Sequence, residues 1–190
     1  GGKLAARLVD AAVGMRAAER VDPLVLVVST AEVYGSGPPL PRVETDPVIP
    51  QSPYAASKAA AELAALEAWR RTGLRVVIAR PFPHTGAGQA EQYVVPSYIQ
   101  RLRAAKASGA TRVPTGNLEP VRDLLDVRDV VEAYLGLLAH GEPGEVYNIG
   151  GSRHSNCSML EAIELCEQIS GRTLAWSYVE DNRIGDHIWY

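Results

Sequence analysis

Hydrophobic positions along the 190-residue chain follow two periods, one helical and one continuous, that alternate from the start. Leu4, Leu8, Val9, Ala12 and Val13 recur at helical spacing, which predicts an amphipathic helix over residues 3–18 with these positions on its buried face. Residues 24–30, LVLVVST, form an unbroken apolar run of the kind found in a strand covered on both faces of a parallel sheet. A proline-rich irregular loop is predicted over residues 36–51. Ser52 then offers a side-chain oxygen as N-cap and Pro53 suits the first helical position, so the alanine-rich stretch 55–70 reads as a helix ended by Gly73. Residues 74–80, LRVVIAR, are a second buried strand, completing a strand, crossover helix and parallel strand.

The same alternation continues with a helix over 92–106, a short strand near 111–114, a helix over 129–139 and a strand over 145–149. Ser158 and Glu161 form a capping box that opens a helix to residue 170, and residues 174–179 alternate like an exposed strand. The fold class expected is α/β, with a partial doubly wound parallel sheet and a smaller lobe. The sheet domain is assigned to residues 1–86 and 126–150, and the lobe to 87–125 and 151–190.

Composition narrows this picture mainly by exclusion. The chain is 46% hydrophobic and 22% charged, with a net charge of −3 and basic residues scattered, so neither nucleic acid nor an anionic membrane is an expected partner. No run of about 18 apolar residues predicts a membrane span, and a cytoplasmic location is expected. Cys157 and Cys166 lack the spacing of a disulfide framework or metal site and are read as reduced packing residues. No metal is expected.

The chemistry centres on residues 52–60, SPYAASKAA, where Tyr54 and Lys58 stand four apart on one helical face. An ammonium nearby lowers the pKa of a phenol by favouring phenolate. Thr30, at the C-terminal end of the first apolar strand in STAEVYG, supplies a short hydroxyl where a ligand site forms in a doubly wound sheet. A Tyr-x-x-x-Lys pair by itself also occurs on ordinary surface helices. What distinguishes this one is the order VVSTAEVYG, SPYAASKAAAE, RPFPHTGAGQ and GNLEPVRDLLDVRDVVEAY.

In that order the motifs resemble the extended short-chain dehydrogenase/reductase family, the NAD-dependent epimerases and dehydratases of nucleotide sugars. The chain is most similar in appearance to members that reduce or dehydrate GDP-mannose derivatives. The resemblance implies a Rossmann-like fold, NAD or NADP as cofactor, a nucleotide-sugar substrate and a homodimer formed through a bundle that includes the Tyr-Lys helix. It further implies that Tyr54 is the general acid/base, that Lys58 lowers its pKa and holds the nicotinamide ribose, and that Thr30 binds the sugar oxygen. Glu32 matches a catalytic glutamate of dehydratases, with a solvated carboxylate as the alternative. Pro81, Phe82 and His84 match residues beside the nicotinamide. Arg122 and Arg183 match arginines that grip the substrate diphosphate; for Arg122 the alternative is a structural pair with Asp123 or Asp126.

The sequence also departs from that family. No G-x-x-G-x-x-G phosphate loop is present, so the expectation is a truncated fragment that lacks the first strands and the adenosine pocket, with an exposed sheet edge and poor solubility. Pro83 stands where relatives carry a substrate-contacting asparagine, and proline donates no hydrogen bond. The segments after residue 148 look more like epimerases. A reductase is the leading expectation; an epimerase or 4,6-dehydratase is the enzymatic alternative, and a non-catalytic remnant that binds a nucleotide sugar or a partner is the other.

Overall fold

The structure, a computed structural model, describes residues 2–179 except 19, 20, 39, 111, 120, 172 and 174. In chain order its elements are α1 (Gly2–Ala17), β1 (Leu24–Val28), α2 (Pro53–Thr72), β2 (Arg75–Pro81), β3 (His84–Thr85), α3 (Val94–Ser108), β4 (Arg112–Thr115), β5 (Val121–Asp123), β6 (Leu125–Asp126), α4 (Val127–His140), β7 (Val146–Ile149), β8 (Asn156–Ser158), α5 (Met159–Ser170) and β9 (Ala175–Tyr178). The main sheet is parallel throughout, in the order β1-β2-β7. The predicted α/β class and the β1-α2-β2 unit are both present. β3, β5, β6 and β8 are only two or three residues long, too short to leave a periodic trace in the sequence.

Burial sorts the two leading strands. Val76, Val77, Ile78 and Ala79 of the central strand β2 are all 0% exposed, and burying one such aliphatic side chain contributes roughly 2 kcal/mol. β1, expected to be covered on both faces, is only partly buried, and Val28 is exposed. The reason is its place in the sheet: β1 pairs with β2 on one side, and among the described residues its other edge is unpaired.

Helix α1 corrects the expected face. Val9 and Ala12 are buried as foreseen, but Leu4 and Leu8 are 64% and 63% exposed. The side turned to α2 approaches it closely: a side chain added at Gly2 would meet Ala60 Cβ and the Ser57 carbonyl oxygen, each at 3.2 Å, and Val9 and Ala12 pack with Ala65 and Ala68. Helices in that close contact have no room for leucines between them. α2 begins and ends as the sequence indicates. Ser52 Oγ accepts from the Ala55 N–H at 3.1 Å, Pro53 opens the helix, and Gly73 closes it in the left-handed conformation.

On α4 the exposed Val127, Val131, Leu135 and Leu138 form an apolar stripe, while Val130 packs inward with Ala79, Leu125 and Ile149. Among the described residues no helix is long and apolar enough to cross a membrane. Cys157 lies half-buried on β8 without a disulfide, and burial pushes its thiol up.

Candidate active site

The C-terminal ends of β1 and β2 open into a cavity of about 700 Å³. Both strands run the same way, so the segments that follow them, residues 29–32 and 82–90, line it together at the edge where parallel sheets bind ligands. Thr30, Glu32, Tyr54, Lys58, Pro81, Phe82 and His84 all line it. Seven of the nine residues singled out from the sequence therefore meet in one space.

Each is placed by local structure. β1 ends at Val28 rather than continuing to Thr30, because residues 31–34 turn into a 3-10 helix. Thr30 is the N-cap of that turn, its Oγ1 accepting from the Glu32 N–H at 3.3 Å, and this swings the Glu32 carboxylate to the cavity mouth. The first two turns of α2 present Tyr54 and Lys58 on one side. Lys58 Nζ donates to the Val28 carbonyl at 2.9 Å and lies 5.7 Å from the centre of the Tyr54 ring. His84 is fixed by β3, which pairs with β6, and its Nδ1 donates to the Phe82 carbonyl at 3.0 Å.

Tyr54 is half exposed, yet its phenol is held above its ordinary value, first by partial burial and then by the facing Glu32 carboxylate. The hydrogen bond with the Thr30 hydroxyl opposes that rise, and Tyr93 adds to it. Lys58 directs its ammonium to the Val28 carbonyl. Glu32 is also raised, by desolvation at the cavity wall, while Arg122 pulls it the other way. The arrangement thus favours a protonated phenol, a proton donor at neutral pH.

Arg122 sits on β5, opposite Cys157 of β8, and is not among the described residues that line the cavity. Its charge reaches the site through Glu32. The two carboxylates weighed as its structural partners are engaged elsewhere as well: Asp126 binds Arg128, and both Asp123 oxygens accept from the Gly151 N–H at 3.0 and 2.9 Å. Arg183 lies outside the described residues. Among the described residues no metal-binding group of His, Cys, Asp or Glu is present.

Sequence reasoning missed Tyr93 and Tyr134, which also line the cavity from the start of α3 and from α4. Tyr93 belongs to no motif and Tyr134 only closes GNLEPVRDLLDVRDVVEAY, where nothing marks it for chemistry; the fold brings them beside Tyr54. Burial and Tyr54 both push the Tyr134 phenol up. Pro83 lines the cavity too, and its carbonyl accepts from the Leu125 N–H at 3.0 Å, so it contributes an acceptor within the backbone and no donor to a ligand.

Comparison with known proteins agrees with this geometry. Residues 3–150 match the family described as the NAD dependent epimerase/dehydratase family. The GDP-6-deoxy-D-mannose reductase of Pseudomonas aeruginosa is 40% identical over 148 residues, which are 76% of this chain and 48% of that protein. A dTDP-glucose 4,6-dehydratase of Streptomyces niveus is also 40% identical, over 144 residues that cover 75% of this chain and 40% of that one. The structure of RMD from Pseudomonas aeruginosa complexed with NADPH superposes with a TM-score of 0.75 at 37% identity, covering 85% of this chain and 56% of that one. The chain spans about half the length of these relatives, and over that span it belongs to the NAD dependent epimerase/dehydratase family.

Proposed function

We propose that this protein is an NAD(P)-dependent nucleotide-sugar oxidoreductase that reduces the C4 ketone of GDP-4-dehydro-6-deoxymannose. The observation that carries the reading is Tyr54. Its hydroxyl-bearing ring lines one cavity with Thr30, Lys58, Pro81, Phe82 and His84, and a tyrosine phenol, protonated at neutral pH, can deliver a proton to a ketone oxygen as it becomes an alcohol. A bound reduced nicotinamide supplies the hydride to the sugar carbon. The chain's own residues provide the rest. Thr30 and Tyr54 share the sugar oxygen, Lys58 anchors the ribose, and Pro81, Phe82 and His84 wall the nicotinamide; all of them line the one cavity, which fits that half of the cofactor. Arg122, Arg183 and the lobe formed by residues 87–125 and 151–190 bind the nucleotide diphosphate, and two copies pair through the helix that bears Tyr54.

A dehydratase is the second reading. It is favoured by Glu32 at the cavity mouth and by equal identity to the Streptomyces niveus dehydratase. Incubating the protein at its native length with GDP-4-dehydro-6-deoxymannose and NADPH separates the two, because a reductase consumes NADPH stoichiometrically and a dehydratase or epimerase regenerates its cofactor. Tyr54→Phe is expected to lower kcat by roughly 100-fold or more with substrate affinity little changed. Near-normal turnover in that variant overturns the assignment of Tyr54.

A further inference from the structure

Beneath the cavity lies a buried polar cluster that the reaction does not use. Arg80 and Glu62 are 4% and 3% exposed and form a two-pronged pair: Arg80 Nε donates to Glu62 Oε1 at 3.1 Å and Nη2 to Oε2 at 2.7 Å. Ser29, 2% exposed, donates its hydroxyl to the same Oε1. Arg80 Nη1 donates to the Tyr34 hydroxyl at 2.8 Å and to the Glu44 carbonyl at 3.2 Å. Tyr34 in turn donates to Asn148 of β7 at 2.7 Å.

A buried ion pair of this kind is weak evidence for stability, because the desolvation of two charges offsets much of their attraction. Its place in the chain suggests another reason for it. Glu62 follows Lys58 by one helical turn and Tyr54 by two, on the same side of α2. Ser29 lies between Val28, whose carbonyl holds Lys58, and Thr30, which lines the cavity with Tyr54. Arg80 directly precedes Pro81 and Phe82 in the cavity wall. One carboxylate therefore ties together the helix bearing the acid/base pair and the ends of both strands that face it.

We propose that Glu62, clamped by Arg80 and Ser29, is a positioning residue that sets the distance of Tyr54 and Lys58 from Thr30 and the Pro81–Phe82 wall. This rests on the acid/base role given to Tyr54 above. Removing the clamp lets α2 shift by fractions of an ångström relative to β1, and displacements approaching 1 Å cost about 100-fold in rate.

The test separates position from stability. In the double variant Glu62→Met, Arg80→Met, apolar side chains of similar length replace the pair, so the melting temperature is expected to stay near the parent's. In the protein at its native length, kcat should fall about 10- to 100-fold with KM changed little, and the limb of the pH profile that reports Tyr54 should move. Ser29→Ala, which removes one hydroxyl, should give a smaller change in the same direction with only a modest fall in melting temperature. Tyrosine labelled with 13C at the ring carbon bearing the hydroxyl reads the Tyr54 titration without any turnover. A shifted Tyr54 titration in both variants supports the clamp even if the proposed reaction is wrong. If both variants leave the titration, kcat and pH profile at parent values, the clamp is structural only and the inference falls. If the double variant does not fold, Ser29→Ala alone decides.

Discussion

Gly35 closes the STAEVYG segment, and its replacement by alanine is the sharpest available test of how the site-bearing loop is built. Its φ of 63° and ψ of −159° fall in a region that residues with a side chain scarcely enter, at a cost of about 1–3 kcal/mol. A Cβ there would lie 2.1 Å from the Ile49 carbonyl oxygen, which is backbone and cannot rotate away. Relieving that contact requires Ile49 to move by about 1 Å, and overpacking of this kind costs a further 1–3 kcal/mol or so. The same movement strains the hydrogen bond from the Ile49 N–H to the Val33 carbonyl at 2.8 Å. The sum is about 4 kcal/mol, which for a chain of this size is a fall of roughly 8–16 °C in melting temperature. Urea unfolding followed by circular dichroism should show the midpoint lowered with little change in slope. Gly88→Ala is the control: φ is also positive, at 85°, but nothing lies within 4 Å of the added carbon, so only the conformational cost of about 1 kcal/mol remains. Equal losses in the two variants, or a Gly35→Ala loss below about 1 kcal/mol, would refute the steric argument.

Glu32→Gln removes the carboxylate that helps hold the Tyr54 phenol up, so Tyr54 should titrate at lower pH than in the parent; an unchanged or upward midpoint by 13C NMR contradicts the electrostatic account. Asp126 caps α4 through the Arg128 N–H at 2.8 Å and pairs with its guanidinium, which lowers its carboxyl to about 2 from an ordinary 3.8. That depressed value makes its stabilisation complete above about pH 3.8 and lost as pH falls through about 2; acid titration of Asp126→Asn against the parent should show the difference confined to that window. Ser158→Ala removes the hydroxyl half of a reciprocal cap, Glu161 N–H to Ser158 Oγ at 3.1 Å and Ser158 Oγ to Glu161 Oε2 at 2.8 Å, and keeps the backbone half, Ser158 N–H to Glu161 Oε2 at 2.6 Å. It should cost about 1 kcal/mol, seen as an earlier thermal transition.

The elements legible in the sequence were those with length and caps. α2 could be drawn from Ser52 to Gly73 because a side-chain oxygen, a proline and a left-handed glycine mark its ends. The position of Thr30 at a strand's end followed from the apolar run that precedes it. What could not be read depended on distant residues. Which side of α1 faces inward is decided by the alanines of α2, so Leu4 and Leu8 point outward although their spacing matched an inward stripe. The partial exposure of β1 is a property of its edge position, not of its own composition. Arg80 lies near the end of β2 after a run of buried residues, and a charge in that place signals a partner, but only the fold identifies Glu62.

The site is divided into two layers, and this makes the effects of substitution separable. Two of the groups proposed for chemistry stand in the open, Tyr54 at 50% exposed and Glu32 also exposed on the cavity lining, while Thr30 is buried beside them. The groups that fix them are sealed beneath, with Ser29, Glu62 and Arg80 each under 5% exposed. Strand ends are also joined to one another by backbone, Ser29 N–H to the Ala79 carbonyl at 2.7 Å and Phe82 N–H to the Ile149 carbonyl at 2.9 Å. Truncating a solvent-facing side chain costs within about 0.5 kcal/mol, so changes at Tyr54 or Glu32 should reach function while leaving the fold nearly untouched. Removing one partner of the buried pair leaves an uncompensated charge at about 3–5 kcal/mol, so Glu62→Ala should lower stability and activity together. A Tyr54→Phe variant that melts many degrees below its parent would mean that the upper layer carries structure as well, and the division would fail.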